Sequence, residues 1–441
     1  MDEPKSTKQA LHIIETFDNL SLKQRMEVFR ELSSEARESL LEVISRPNEI
    51  MRSLSLQETY FTIKQISEEH ALALITYTTG KQLQYIFDLE LWNKEQFEMH
   101  AAAKWLEIIN GIGDEKVLQF VQICEPELLI TILHKFVRVD IRNPEIDLTE
   151  QSDTLPSFTL DDIFFVDFLD RISEPTIRKV LETIFDWNTD YYFSIMEELA
   201  RGIHTEHQEL AAKWRRSRLS EQGFPDFDDA LHVYQYIHSN SVIEPDEHIS
   251  SHESHPQSDI LPLLGYPLKV MSEDNLFRKC LDEIRDPTEL DRLTAELAHL
   301  GNKVIVADGR HPGSIDELYD SLHKVSGYIN MALEELCDDD VSKGRALLKA
   351  NHMEILFRRG FSLILDLRKE AQILLRQYEG GVENLGHPLA GLIQGLLQKR
   401  PYYANNLSEE KEPRSFETLD DIQSIRRLMS KDHIEEQWET I

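Results

Sequence analysis

The side chains of this chain that could do chemistry fall into a few short clusters. His248, His252 and His255, with Glu247 and Glu253, are imidazole and carboxylate groups of the kind that gather around zinc or nickel. Such a site needs ligands fixed by supporting hydrogen bonds. These five residues sit in "SNSVIEPDEHISSHESHPQSD", residues 239–259, a Ser-, His- and Pro-rich stretch that reads as a solvated linker. His204 and His207 are about one helical turn apart, but no metalloprotease pattern surrounds them, so they read as surface histidines. Asp226, Asp228 and Asp229, and separately Asp338, Asp339 and Asp340, offer oxygen ligands to magnesium or calcium. Neither group has the glycine and closing glutamate of a calcium loop, and both also read as helix starts.

Recognition chemistry is concentrated in "AAKWRRSR", residues 211–218, where Lys213, Arg215, Arg216 and Arg218 surround Trp214. A surface of this kind grips an acidic partner or a phosphate through cation–π and bidentate contacts. Its bland counterpart is a wet helix face with Trp214 turned into the core. These five residues are the interaction site expected from the sequence. A third stretch, "NKVIVADG" at 302–309, looks like a strand running into a phosphate loop, but it lacks the glycines and the lysine that such a loop uses. No nucleophile elbow or dinucleotide fingerprint occurs, so no catalytic residue, cofactor or metal ligand is assigned, and the reading leans away from an enzyme.

The elements that would position these groups are helical nearly throughout. Leu290, Leu293, Leu297, Leu300, Val304 and Ala307 recur at steps of three and four, so "NKVIVADG" is the end of a helix. Asp286 caps that helix before Pro287, Gly309 supplies its left-handed stop, and Ser314 with Glu317 opens the next. Further helix starts are expected at Ser21–Gln24, Ser55–Glu58, Asn93–Gln96, Thr159–Asp162 and Thr418–Asp421. The expected fold is all-α, stacked helical hairpins in two to three domains: 1–139, a second helical unit at 140–238, the linker at 239–259, and 260–441. "HAAAKWLEIINGIG" at 100–113 aligns with "ELAAKWRRSRLSEQG" at 209–223, a quasi-repeat in which the second unit partly duplicates the first.

Against 47 Lys and Arg stand 80 Asp and Glu, a formal net charge of -33 that repels nucleic acid and anionic lipid. No window is apolar for long enough to span a membrane, and the charged N-terminus has no secretory h-region. Cys124, Cys280 and Cys337 are far apart in sequence, as expected of reduced core thiols in a cytoplasmic protein.

"GFPDFDDALHVYQYI", "NKVIVADG", "FRRGFSLILDLRKEA", "KRPYY" and "RSFETLDDI" together resemble a bacterial family of conserved proteins of unknown function, over nearly the whole chain. That resemblance implies no activity and no site residues. Residues 21–136 also look like the acidic helical repeats in the cytosolic domain of a magnesium transporter and like parts of the flagellar motor-switch protein. Three functions stay open at this point. One is a cytosolic helical scaffold or adaptor acting through a protein partner. The second is a divalent-cation-responsive regulatory module. The third is an enzyme with a site between the two halves, where Asn302, Asp308, Arg359 and Arg400 would converge.

Overall fold

A computed structural model describes residues 16–66, 68–145, 155–202, 204–238, 274–377, 381–382, 385, 388–404 and 413–430. The linker at 239–259, with His248, His252 and His255, lies outside the described residues. The fold is all-α, with two small two-stranded sheets among the described residues. It divides into two units, residues 1–221 and 222–441. The expected division at 139/140 is crossed by a strand pair and by packed helices. Residues 222–238 belong to the second unit, where Phe224, Ala230 and Val233 are buried.

The first unit runs α1 (Leu22–Glu31), α2 (Ser34–Val43), α3 (Pro47–Ser53), α4 (Leu56–Gln65), α5 (Glu68–Tyr77) and α6 (Gly80–Glu90). A hairpin of β1 (Trp92–Asn93) and β2 (Gln96–Phe97) follows. Next come α7 (Met99–Ile112), α8 (Asp114–Ile123), α9 (Pro126–His134), β3 (Val137–Ile141) and β4 (Phe164–Phe168). The unit ends with α10 (Glu174–Trp187), α11 (Thr189–Arg201) and α12 (His204–Glu221). Reciprocal capping boxes form at Ser21 with Gln24 and Ser55 with Glu58, as the spacing predicts, and also at Thr79 with Gln82.

Two expected helix starts are something else. Asn93 pairs with Gln96 across the β1–β2 turn, where Lys94 takes a left-handed φ of 55°. Thr159 Oγ1 does accept from the amides of Asp161 and Asp162, but the chain then enters β4. Local side-chain capping serves turns as well as helices, so the pattern alone does not choose between them. The proposed repeat places its two tryptophans differently. Trp105 of α7 is 8% exposed, whereas Trp214 of α12 is 47% exposed.

The second unit opens with α13 (Phe227–Leu231) and a 3-10 turn at His232–Tyr234. It continues with α14 (Leu276–Asp282), α15 (Pro287–Ala307), α16 (Ile315–Cys337), α17 (Val341–Ala350) and α18 (Met353–Gln377). Two shorter helices, α19 (Leu389–Leu397) and α20 (Leu419–Leu428), close it. α15 has the predicted ends: Asp286 accepts from the Thr288 amide, and Gly309 has φ +68°. The Gly309 and Arg310 amides donate to Val306 O and Ile305 O, the paired bonds of a left-handed helix stop. No strand and no phosphate loop occurs there.

α16 and α18 form the spine of this unit. They approach so closely that a Cβ on Gly360 would lie 1.9 Å from the Tyr328 carbonyl oxygen. We therefore expect Gly360→Ala to cost more stability than Gly309→Ala, by about 1–3 kcal/mol of overpacking, since the backbone contact cannot yield as a side-chain tip does. Urea denaturation of the two variants checks the order. Equal midpoints would contradict the close approach.

Candidate functional site

The basic run at 211–218 lies on α12, and the helix divides it. Ala211, Ala212, Arg215 and Leu219 form the inward stripe, while Lys213, Trp214 and Arg216 are exposed. Arg215 is 7% exposed and donates to the carbonyls of Asp88 (2.6 Å) and Lys94 (3.0 Å), with its guanidinium 5.7 Å from the Trp92 ring centre. Arg218 binds both Asp88 oxygens, at 2.6 and 2.7 Å, and also pairs with Glu125. Arg216 reaches Glu95 at 2.8 Å. The run is therefore not one outward basic face. Arg215 and Arg218 tie α12 to α6, the β1–β2 turn and the start of α9, and reversing the charge of Arg215 would strike the core. Trp214, in turn, points away from the core.

The segments that carry the family resemblance lie far apart in sequence, and most of them meet on one carboxylate. Asp308, at the end of α15, is almost wholly buried. It accepts from the Tyr234 hydroxyl (2.8 Å), from Arg400 Nε (2.9 Å) and from Lys324 Nζ. Arg400 also donates to Ala307 O at 2.8 Å and lies 3.9 Å from the Tyr234 ring centre. Tyr234 packs edge-on against Phe361 of α18. Thus "GFPDFDDALHVYQYI", "NKVIVADG", "FRRGFSLILDLRKEA" and "KRPYY" each contribute a side chain to a single cluster. The fifth segment closes on itself, with Arg414 bidentate to Asp421 at 2.5 and 2.9 Å.

Residues 234–238 then lie as a strap along α18. Arg358 donates to Gln235 O, Ser362 Oγ accepts from the Ile237 amide at 2.8 Å, and Asp366 accepts from the Tyr236 hydroxyl at 2.8 Å. Arg359 holds the His238 carbonyl at 2.8 Å while forming a bidentate pair with Glu335, both bonds at 2.6 Å. Of the four residues expected to converge, Asp308 and Arg400 are direct partners. Arg359 anchors the strap instead, and Asn302 donates to Gln222 O. All four lie in the second unit. Tyr234 lies within a segment that carries the resemblance but in no chemical motif, and Lys324 and Glu335 lie outside those segments.

Electrostatically the cluster carries one carboxylate against two cations. Burial pulls Lys324 below its ordinary value, and Asp308 opposes that shift. Burial also pushes the Tyr234 hydroxyl well up, so it stays a proton donor to Asp308. The arrangement fixes four segments in place by charge and hydrogen bonding.

The other clusters take plainer roles. Asp340 caps α17 through the amides of Ser342 and Lys343, after Asp338 and Asp339 take left-handed backbone angles. Asp228 and Asp229 occupy the first turn of α13. His207 faces Glu198 at 3.3 Å, and the His204 side chain is outside the described residues. No group of three or more His, Cys, Asp and Glu side chains is placed to hold a metal ion among the described residues. The three cysteines are buried free thiols, and burial pushes Cys280 up to about 12.

One buried cation was not foreseen. Lys116 of α8 is held by Thr78 O (3.0 Å) and Thr78 Oγ1 (2.8 Å), just past the end of α5. Burial, with a smaller push from Arg52, lowers its value from 10.5 to about 8.

Among the described residues no single helix is long and apolar enough to cross a membrane. A protein-family model described as a family of unknown function (DUF6178) matches residues 14–436. No curated protein and no solved structure matches the chain, and the likeness of residues 21–136 to transporter or motor-switch repeats has no counterpart in these comparisons.

Two outcomes follow from these cations. Asp308→Asn leaves Lys324 and Arg400 without a buried counter-charge and should cost about 3–5 kcal/mol. Lys324→Met in the same chain should recover part of that loss, which a double-mutant cycle by urea denaturation measures. For Lys116, the unfolded chain holds its proton up to 10.5 and the folded chain only to about 8. Between those values the unfolded state binds more protons, so this contribution to stability rises with pH, complete above the window and lost below it. The difference between wild type and Lys116→Met in urea midpoint should therefore grow from pH 8 to 10.5. A constant difference would show that Lys116 has an ordinary affinity for its proton.

Proposed function

The chain belongs to the DUF6178 family of unknown function, which assigns it no activity, and on that premise we propose that it is a cytoplasmic helical scaffold or adaptor that binds a protein partner through its first unit. The observation that carries this reading is a pair of apolar side chains held out on stiff backbone. Ile172 is 80% exposed and Leu169 58% exposed. The turn that presents them is fixed from both ends. Leu169 N donates to Phe136 O at 2.8 Å, and Asp170 accepts from the Ile172 and Ser173 amides and the Ser173 hydroxyl. Those bonds, Ser173 first, hold the Asp170 carboxyl below the usual carboxylate range, so it keeps its acceptor role at neutral pH.

At the opposite end of the β3–β4 pair, Ile141 and Ile163 are also exposed, joined through the Arg142 amide on Ile163 O. A five-residue strand spans about 16 Å, so apolar anchors stand at both ends of one short ribbon. Exposed apolar groups grouped on ordered backbone are what binding surfaces present, because little conformational freedom is left to lose on docking. The acidic balance of the chain supports a protein partner over nucleic acid or anionic lipid.

The test is Leu169→Ser with Ile172→Asp. Surface changes of this kind alter stability by about 0.5 kcal/mol or less, whereas loss of central apolar anchors costs about 2 kcal/mol or more in binding. Quantitative cross-linking and capture from native cells should show the double variant losing at least one partner while its melting temperature holds. Retention of every partner would refute the assignment of this surface.

A further inference from the structure

Lys116 is a buried cation to which the adaptor reading gives no role. Its side chain is 5% exposed and ends against Thr78, whose carbonyl (3.0 Å) and Oγ1 (2.8 Å) take two of the three ammonium protons. Among the described residues the third proton has no partner, and no carboxylate is bonded to the ammonium. Asp114 and Glu115 precede Lys116 on α8, but both are exposed and Asp114 pairs with Lys179 at 3.1 Å. Arg25, Lys324 and Arg359, also buried, each have a carboxylate partner. Further positive charge stands beside Lys116. Arg52, at the end of α3, is exposed, has no hydrogen bond or ion pair among the described residues, and comes close enough for its charge to weaken the hold of Lys116 on its proton. Gln82 fixes that end of α3 by donating to Met51 O and Leu54 O at 2.8 and 2.9 Å. Gln82 lies in the first turn of α6, which is capped by Thr79 and carries Lys81 but no acid. A helix start is itself a positive end. Positive charge therefore gathers at one place in a chain whose net charge is -33.

We propose that Lys116, Arg52 and the leading turn of α6 bind a phosphate group, free or carried on a small phosphate ester. The anion takes the third ammonium proton of Lys116 and supplies the counter-charge that a buried cation otherwise lacks. Arg52, exposed and unbonded, closes over it, and the planar guanidinium fork matches phosphate oxygens. The first main-chain amides of a helix have no partner within it, and they favour an anion at the same end. Two cations suit a dianion, whereas a carboxylate would neutralise only one of them. The site is separate from the Leu169–Ile172 surface, so either can fail without the other.

The experiment is calorimetric titration of the full chain with inorganic phosphate, glycerol phosphate and acetate. At least one of the two phosphates should bind saturably and raise the melting temperature, and acetate should bind more weakly by about tenfold or more. Tighter binding of glycerol phosphate identifies an ester as the ligand, and tighter binding of inorganic phosphate identifies the free ion. Arg52→Ala, at an exposed position, should keep the fold and weaken binding by about tenfold. Lys349→Ala, an equal loss of exposed charge in the second unit, should leave binding within about twofold, because screening confines exposed charges to about 8–10 Å. Lys116→Met should abolish binding. Sulfate, whose own charge is constant over this range, separates Lys116 from the titration of phosphate itself. Its affinity should fall about tenfold from one pH unit below about 8 to one unit above it, as Lys116 releases its proton. Arg52→Ala should retain that pH dependence. If Lys116→Met fails to fold, Arg52→Ala and the sulfate profile decide. Failure of both phosphates to bind, acetate binding as tight as phosphate, equal effects of Arg52→Ala and Lys349→Ala, or a sulfate affinity independent of pH would each overturn the proposal.

Discussion

A buried cation must be given oxygen acceptors, and in this chain that requirement decides which distant segments meet. Removing an ammonium or guanidinium from water costs several kcal/mol unless acceptors replace the hydration shell. Lys324 and Arg400 meet that demand by sharing Asp308, which draws the end of α15, the middle of α16 and the stretch after α19 to one point. Arg359 meets it with Glu335 and the His238 carbonyl, which lays the strap along α18. In the first unit Arg215 and Arg218 do the same for α12 with Asp88, Glu125 and two main-chain carbonyls. Apolar burial supplies the driving force for collapse, but it is non-directional. The directional bonds of these few cations select which helix surfaces face each other.

This use of basic residues shapes what is left for function. Several of the scarcer arginines and lysines are drawn inward, each neutralised by an acid or a carbonyl, and many of the abundant acids remain on the exterior. The surface of the first unit therefore keeps apolar side chains on ordered backbone at Leu169 and Ile172, the feature on which the proposed adaptor role rests.

Much of this architecture can be read from the residues, and what cannot has identifiable causes. The α15 helix and its glycine stop follow from steps of three and four ending in a residue that tolerates positive φ. The capping boxes at Ser21, Ser55 and Thr418 are real because an apolar helical period follows each. At Asn93 the same spacing makes a hairpin, since Trp92 and Phe97 pair across it and the period that follows begins only at Met99. The basic run misleads for a geometric reason. Consecutive side chains on a helix diverge by about 100°, so Trp214 and Arg215 cannot share a face, and the inward place went to the residue with carbonyls to bind. The Asp308 cluster is half legible. Asp308 stands out as a polar residue closing an apolar run, whereas Arg400 follows Gln398 and Lys399 and is not marked in that way; Tyr234 and Lys324 join them through tertiary folding that no local spacing records.

The strap has a consequence for the stretch that follows it. Residues 222–238 and α14 are parts of the same unit, so the chain that leaves at His238 and returns at Asp274 departs from and re-enters one body. Its ends are fixed by the fold, and the entropic cost of holding the two ends of a flexible chain together grows by only about 0.6 kcal/mol for each doubling of its length. Evolution could therefore lengthen this stretch, or place an entire module within it, with little effect on the helices on either side. A backbone break there would turn the Arg359, Ser362 and Asp366 contacts from intramolecular into intermolecular ones, so the two pieces would stay together only as far as protein concentration allowed. The covalent connection thus acts as the tether that makes a short strap of residues 234–238 sufficient to hold its place along α18.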